Sequence, residues 1–97
     1  MKLIDVIRRV DEVEDKTVCL RRPWTAESEA CLASVAPMSK IPEKILSEGY
    51  EYFIEGSVLR EIIEIPEASE ISDKEKADLI IYYAENDAYP SWIYRTR

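Results

Sequence analysis

Apolar residues recur along this chain at two periods, and the switches between them predict the order of its elements. Leu3, Val6, Ile7, Val10 and Val13 fall at i, i+3, i+4, i+7 and i+10, one stripe at the helical period. Asp5, Arg8, Arg9, Asp11 and Glu12 fill the opposite side, so the spacing predicts an amphipathic helix over 2–14. Its β-branched residues lower its intrinsic propensity, and it depends on the core to hold it. Thr17-Val18-Cys19-Leu20-Arg21-Arg22 reads as a strand stopped by Pro23. Over 29–36 the alanines favour a helix, whereas the short run bounded by Pro37 favours a strand. The strand is preferred because it completes a hairpin with 17–22, and Trp24 in the connection reads as a lid on the core.

Residues 37–42 read as a loop, after which Pro42 suits the start of a short helix at 43–48 and Gly49 its left-handed stop. Tyr50-Glu51-Tyr52-Phe53-Ile54 is a third strand, broken by Gly56. Ser57 is placed to cap a helix over 58–65, where Val58, Leu59, Ile62 and Ile63 form a stripe. A hairpin of 50–54 with 58–65 competes, and the helical spacing decides against it. Pro66 ends the segment, and 66–71 reads as a loop. Ser72-Asp73-Lys74-Glu75 is a capping box, in which serine hydroxyl and glutamate carboxylate each satisfy a backbone donor. The helix it opens, 73–86, puts Ala77, Ile80, Ile81 and Ala84 on one stripe, and the aromatic stretch 87–94 is expected to pack back on the domain. The expected fold class is α+β: a small, mostly antiparallel sheet of about three strands against three to four helices, in a single domain over 1–97.

Composition adds limits on function. The chain has 97 residues, of which 46% are apolar and 34% charged, so room for both a core and a deep internal site is small. No apolar run approaches the roughly 20 residues of a membrane-spanning helix. Met1-Lys2-Leu3-Ile4-Asp5 has no long apolar stretch before its first acid, which speaks against a secretory signal and for a cytoplasmic location. Two cysteines do not make a disulfide framework. Net charge is −7 and unevenly placed. Residues 1–42 hold seven acids and seven bases, residues 43–87 thirteen acids against four bases. Such a field repels nucleic acid and anionic lipid and attracts a basic protein, while a purely solubilising role is the plainer alternative.

Candidate chemistry is sparse. With no histidine, the usual proton-transfer side chain and the common imidazole ligand are missing, and Ser-His-Asp or Cys-His arrangements are excluded. Gly49 and Gly56 stand too far apart for a phosphate-cradling loop. No metal-ligand motif occurs among the carboxylates; Glu61 with Glu64 and Asp78 with Glu85 share helix faces, as on most acidic helices. Cys19 and Cys31 fall on the two hairpin strands, with Arg21 and Arg22 near the first; buried thiols are the commoner outcome, a redox pair the rarer. No catalytic residue, metal or cofactor is assigned. The aromatics Tyr82, Tyr83, Tyr89, Trp92 and Tyr94 crowd the last sixteen residues, where core packing and an interface are both open readings.

The stretch from Ala77 to Tyr89, with Tyr82-Tyr83-Ala84-Glu85-Asn86-Asp87-Ala88-Tyr89, resembles the closing motif of a family of small bacterial domains of unknown function, which end in Y-Y-x-x-N-D-A-aromatic after a strand-rich half. In style, though not by a diagnostic motif, the chain is similar to small acidic immunity proteins that block a bacterial toxin. The resemblance implies a non-enzymatic binder of a basic protein, such as a toxin domain. Asn86-Asp87 is read as the turn closing the helix. Partner contacts are expected at Glu61, Glu64, Glu67, Glu70, Asp73, Tyr89 and Trp92. The alternative is a monomeric or small homo-oligomeric structural or regulatory domain using a strand edge or the aromatic tail, and a carboxylate metal enzyme ranks third.

Overall fold

β1 (Thr17–Arg21) lies at the centre of a three-stranded antiparallel sheet, between β2 (Ala30–Ala33) and β3 (Tyr50–Glu55), in the order β2-β1-β3. A computed structural model describes residues 1–34 and 40–95. The centre falls to β1 because its first four residues, a continuous Thr-Val-Cys-Leu run, are buried on both faces. Thr17 pairs with Ala33 and Cys19 with Cys31 on one side, Val18 with Ile54 and Cys19 with Tyr52 on the other. The register against β3 shifts between Val18 and Cys19, which leaves Phe53 as the extra residue of a bulge. The bulge explains why Phe53 and Ile54, though adjacent, are both buried. The predicted strands at 17–22, 29–36 and 50–54 thus form an α+β sheet; residues 35 and 36 of the second, and 37–39 of the following loop, lie outside the described residues.

The single helix expected over 2–14 is two: α1 (Leu3–Arg8) and α2 (Val10–Val13), parted at Arg9 with φ −115° and ψ 34°. The stripe is continuous in sequence, but α1 packs on the C-terminal helix while α2 packs on the helix after β3, and the break re-aims the second half. α1 is anchored from outside by backbone bonds from Leu3 to Ser28 (2.9 Å) and from Ile4 to Ala26 (3.1 Å). α3 (Glu43–Ser47) follows Pro42 and ends at Gly49, whose φ is +91°.

α4 (Gly56–Ile63) starts and stops two residues before the predicted 58–65. Gly56 ends the strand as expected, since β3 stops at Glu55, and it also opens the helix; Ser57 is not the cap, because Glu55 is the N-cap residue and no side chain closes it. The glycine is required by proximity, since its N–H bonds Lys16 O at 2.8 Å and an added Cβ would lie 1.7 Å from Val13 O. At the other end Ile65, held extended before Pro66, stops the helix. The predicted loop 66–71 is largely a 3-10 helix, Pro66–Glu70, with Ala68 buried.

α5 (Asp73–Asn86) begins with the expected capping box: Glu75 N–H donates to Ser72 Oγ at 3.1 Å and Ser72 N–H to the Glu75 carboxylate at 3.1 Å. It ends where Asp87 turns left-handed (φ 53°, ψ 35°) and donates its N–H to Tyr83 O at 2.7 Å. Its buried side is Ala77, Leu79, Ile80 and Ile81, wider than the predicted stripe, with Ala84 half-buried. The tail packs back as expected: Pro90 and Ile93 are buried, and Ser91–Arg95 is a second 3-10 helix. One core cluster joins Leu3, Leu20, Leu59, Ile62, Leu79, Ile80 and Ile93, drawn from α1, β1, α4, α5 and the tail. Among the described residues, no helix is long and apolar enough to cross a membrane.

Candidate partner-binding surface

The acidic positions selected from sequence do not converge. Glu61 is exposed on α4, and Glu64, just past its end, lies 3.5 Å from Arg60 Nε. Arg60 also reaches Glu14 at 2.5 Å and Asp11 at 3.5 Å, so Glu64 belongs to a network spanning α2 and α4. Those acids, Glu14 foremost, raise the Arg60 pKa further above its ordinary value. Glu67 is half-buried in the first 3-10 helix and Glu70 is exposed at its end. Asp73, the first residue of α5, is held by Arg8 at 3.0 Å and by Lys76 at 3.8 Å.

Tyr89 packs on Tyr83 with ring centroids 5.2 Å apart. Burial raises its phenol above the ordinary range, and Tyr83, Tyr94, Glu61 and Glu67 push the same way. The fold therefore brings Glu61 and Glu67 to Tyr89, while Glu64 and Asp73 stand apart in ion pairs with arginines. Trp92 is half-buried against the core cluster, so the tail is partly core. Tyr94, 60% exposed, is the aromatic of the tail that most faces solvent.

The cysteines face each other across β1 and β2 as free thiols. Burial, with added repulsion from Cys31 and Glu55, pushes the Cys19 thiol up to about 11, so at neutral pH it is protonated and a poor nucleophile. Arg21 does not counter this: its Nε donates to Glu48 O at 2.9 Å and its guanidinium stacks on Tyr50 at 4.4 Å. Arg22 stacks on Trp24 at 3.9 Å and bridges Glu51 at 2.8 Å. Trp24 lies edge-on to Phe53 at 4.9 Å, as a lid would, with its indole N–H buried and without a hydrogen-bond partner among the described residues. Among the described residues no cluster of three or more Cys, Asp or Glu side chains is arranged to hold a metal ion.

One surface was not anticipated from the sequence. A groove of about 240 Å³ runs along β3 and is lined by Tyr52, Phe53, Ile54, Val58, Tyr83, Ala84 and Asp87. Tyr52 is 49% exposed beside it, and burial and then the Glu55 carboxylate raise the Tyr52 phenol pKa. The strand reading of 50–54 contained Tyr52, but only the bulge and the left-handed turn at Asp87 bring these residues together.

The fold defines the class, a protein of the α+β kind with a three-stranded antiparallel sheet. No protein-family model matches the chain, and no curated protein and no solved structure matches it at a significant level.

Proposed function

We propose that the chain is a non-catalytic binding module that recognises a basic protein through its acidic surface, in the manner of an immunity protein that neutralises a toxin domain. The supporting observation is an imbalance that survives folding. Glu61, Glu70, Asp78, Glu85 and Asp87 are exposed and have no ion-pair partner among the described residues. Of the bases, Lys2, Arg8, Arg22, Arg60 and Lys76 are each paired with an acid, while Arg9, Lys16, Lys44 and Lys74 have no ion pair among the described residues, so unpaired acids still outnumber unpaired bases. Unneutralised carboxylates attract a basic partner over distances of about 8 Å at physiological ionic strength and accelerate its encounter.

The test is the salt dependence of association with a partner captured from the source organism. Association slows steeply from low to high salt while dissociation changes little, and reversing Glu61 and Glu70 to lysine slows association further. An affinity indifferent to salt refutes the reading. A gene for a large secreted protein with a variable C-terminal domain beside this one favours the immunity form. The second reading, self-association, draws on the edge of β3, which pairs with no further strand among the described residues. Sedimentation at micromolar concentration separates the two, because a strict monomer removes it.

A further inference from the structure

We propose that the free edge of β3 and its adjoining groove dock an extended, arginine-bearing segment of the partner protein. The inference rests on the binding reading above and names the place and chemistry of one contact. The order β2-β1-β3 leaves β3 without a strand on its outer side among the described residues. Arg21 N–H bonds Glu29 O towards β2, so by alternation Leu20 turns to Glu51 on β3. Tyr50 and Tyr52 then direct their backbone N–H and C=O away from β1, and no backbone group of another described element bonds them. Such an edge accepts an added strand through main-chain hydrogen bonds, with pockets for its alternate side chains supplying specificity.

The groove beside this edge suits a cation. Its lining holds one charged group, Asp87, and no base. Asp87 closes α5, a helix of 14 residues with no basic residue in its last turn, so the carboxylate adds to the uncompensated negative end of the helix dipole. Glu55 lies beside Tyr52 at the same strand. The chain already uses the matching contact: Arg21 lies over the Tyr50 ring at 4.4 Å. Tyr52, two residues on and on the same face, is 49% exposed, and among the described residues no cation covers its ring. A guanidinium entering between Tyr52 and Asp87 gains a cation–π contact and a carboxylate together. A second copy of this chain fits poorly, because each copy carries −7 and β3 itself presents Glu51 and Glu55.

The probe is a short synthetic peptide alternating arginine and valine, followed by NMR on the full chain. Two control peptides replace arginine with glutamate or carry N-methylated amides that cannot extend a sheet. The expected result is shift changes at Tyr52, Val58, Tyr83 and Asp87 and slowed amide exchange at Tyr50 and Tyr52, with neither control peptide binding. Combining Tyr52→Thr with Asp87→Asn, residues suited to a strand and a left-handed turn, weakens binding about tenfold; a thermal melt checks that the variant is folded. Shifts confined to Glu61 and Glu70, with the groove variant binding normally, overturn this inference and leave the acidic-surface reading standing. Absence of peptide binding, or binding by the N-methylated peptide, also overturns it. Concentration-dependent protection of Tyr50 and Tyr52 without peptide makes the occupant a second copy and overturns it too. In every case the salt dependence of the captured partner judges the broader reading separately.

Discussion

Replacing Gly56 with alanine adds one methyl group where two backbone segments leave no room for it. The new Cβ would stand 1.7 Å from Val13 O, 2.7 Å from Val13 C and 2.9 Å from Lys16 O. All three are main-chain atoms, so no rotamer change relieves the clash, and either the α2–β1 turn or the start of α4 must move. That movement also stretches the Gly56 N–H bond to Lys16 O, now 2.8 Å. Overpacking of this kind costs about 1–3 kcal/mol and a weakened buried hydrogen bond about 1 kcal/mol more. The expected loss of about 2–4 kcal/mol is a large part of the roughly 5–15 kcal/mol that holds a domain of this size. It lowers Tm by roughly 10–30 °C.

The sign is the informative part. In an exposed helix, glycine to alanine gains up to about 1 kcal/mol, the opposite direction. Gly49→Ala is the reference: there φ is +91° and the nearest atom, Arg21 Nε, is an ordinary 3.8 Å away. Only backbone strain applies, about 1–2 kcal/mol. Urea titrations followed by circular dichroism rank the variants. The reasoning fails if Gly56→Ala is as stable as the parent chain, or loses less than Gly49→Ala.

Three further perturbations test other parts of the account. Ser72→Ala removes the acceptor of the α5 capping box and destabilises by about 1 kcal/mol in the same titration, with little effect on any partner's association rate. Cys19 titrates near 9.0 when free and about 11 when folded. Its burial therefore contributes stability fully below pH 9.0, and this is lost as pH rises through about 11. Melts across that window fall less steeply for Cys19→Ala than for the parent, with Tyr52 and Tyr89, raised in the same direction, supplying the slope that remains. Arg60→Met breaks three solvent-facing ion pairs, yet leaves the melting temperature nearly unchanged at physiological salt and lowers it slightly at low salt, because exposed pairs are screened.

What was legible in the sequence was local. The capping box at Ser72 and Glu75 needs only four adjacent residues, and α5 begins where they place it. β1 and β3 were legible because β-branched and aromatic residues cluster within short bounded runs. Gly56 was legible as the end of the strand but not as the first residue of α4, because the reason for a glycine there lies about forty residues away in the chain, at Val13 and Lys16. The division of 2–14 was hidden for a related reason. A stripe test asks whether apolar residues share a face, whereas Arg9 separates two faces that meet different helices. The groove was invisible from sequence, since it joins a bulged strand to the far end of α5.

Ion pairing also changes where the excess charge sits. Counted along the chain, residues 1–42 are balanced and 43–87 hold the surplus. In the fold the two parts exchange partners. Arg8 on α1 neutralises Asp73 at the start of α5, while Asp11 and Glu14 draw Arg60 off the acidic segment. Arg22 on the β1 side holds Glu51 on β3. The acidic segment thereby gains counter-ions at two of its acids, Glu51 and Asp73, and shares one of its own four bases with the N-terminal half. Among the described residues, the carboxylates without an ion pair include Glu61 and Glu70 around the end of α4 and Asp78, Glu85 and Asp87 along α5, besides Glu43 and Glu48 at α3, and they are fewer than the sequence count. Because exposed charges are screened within about a Debye length, this local arrangement, and not the net −7, sets which approach a basic protein takes.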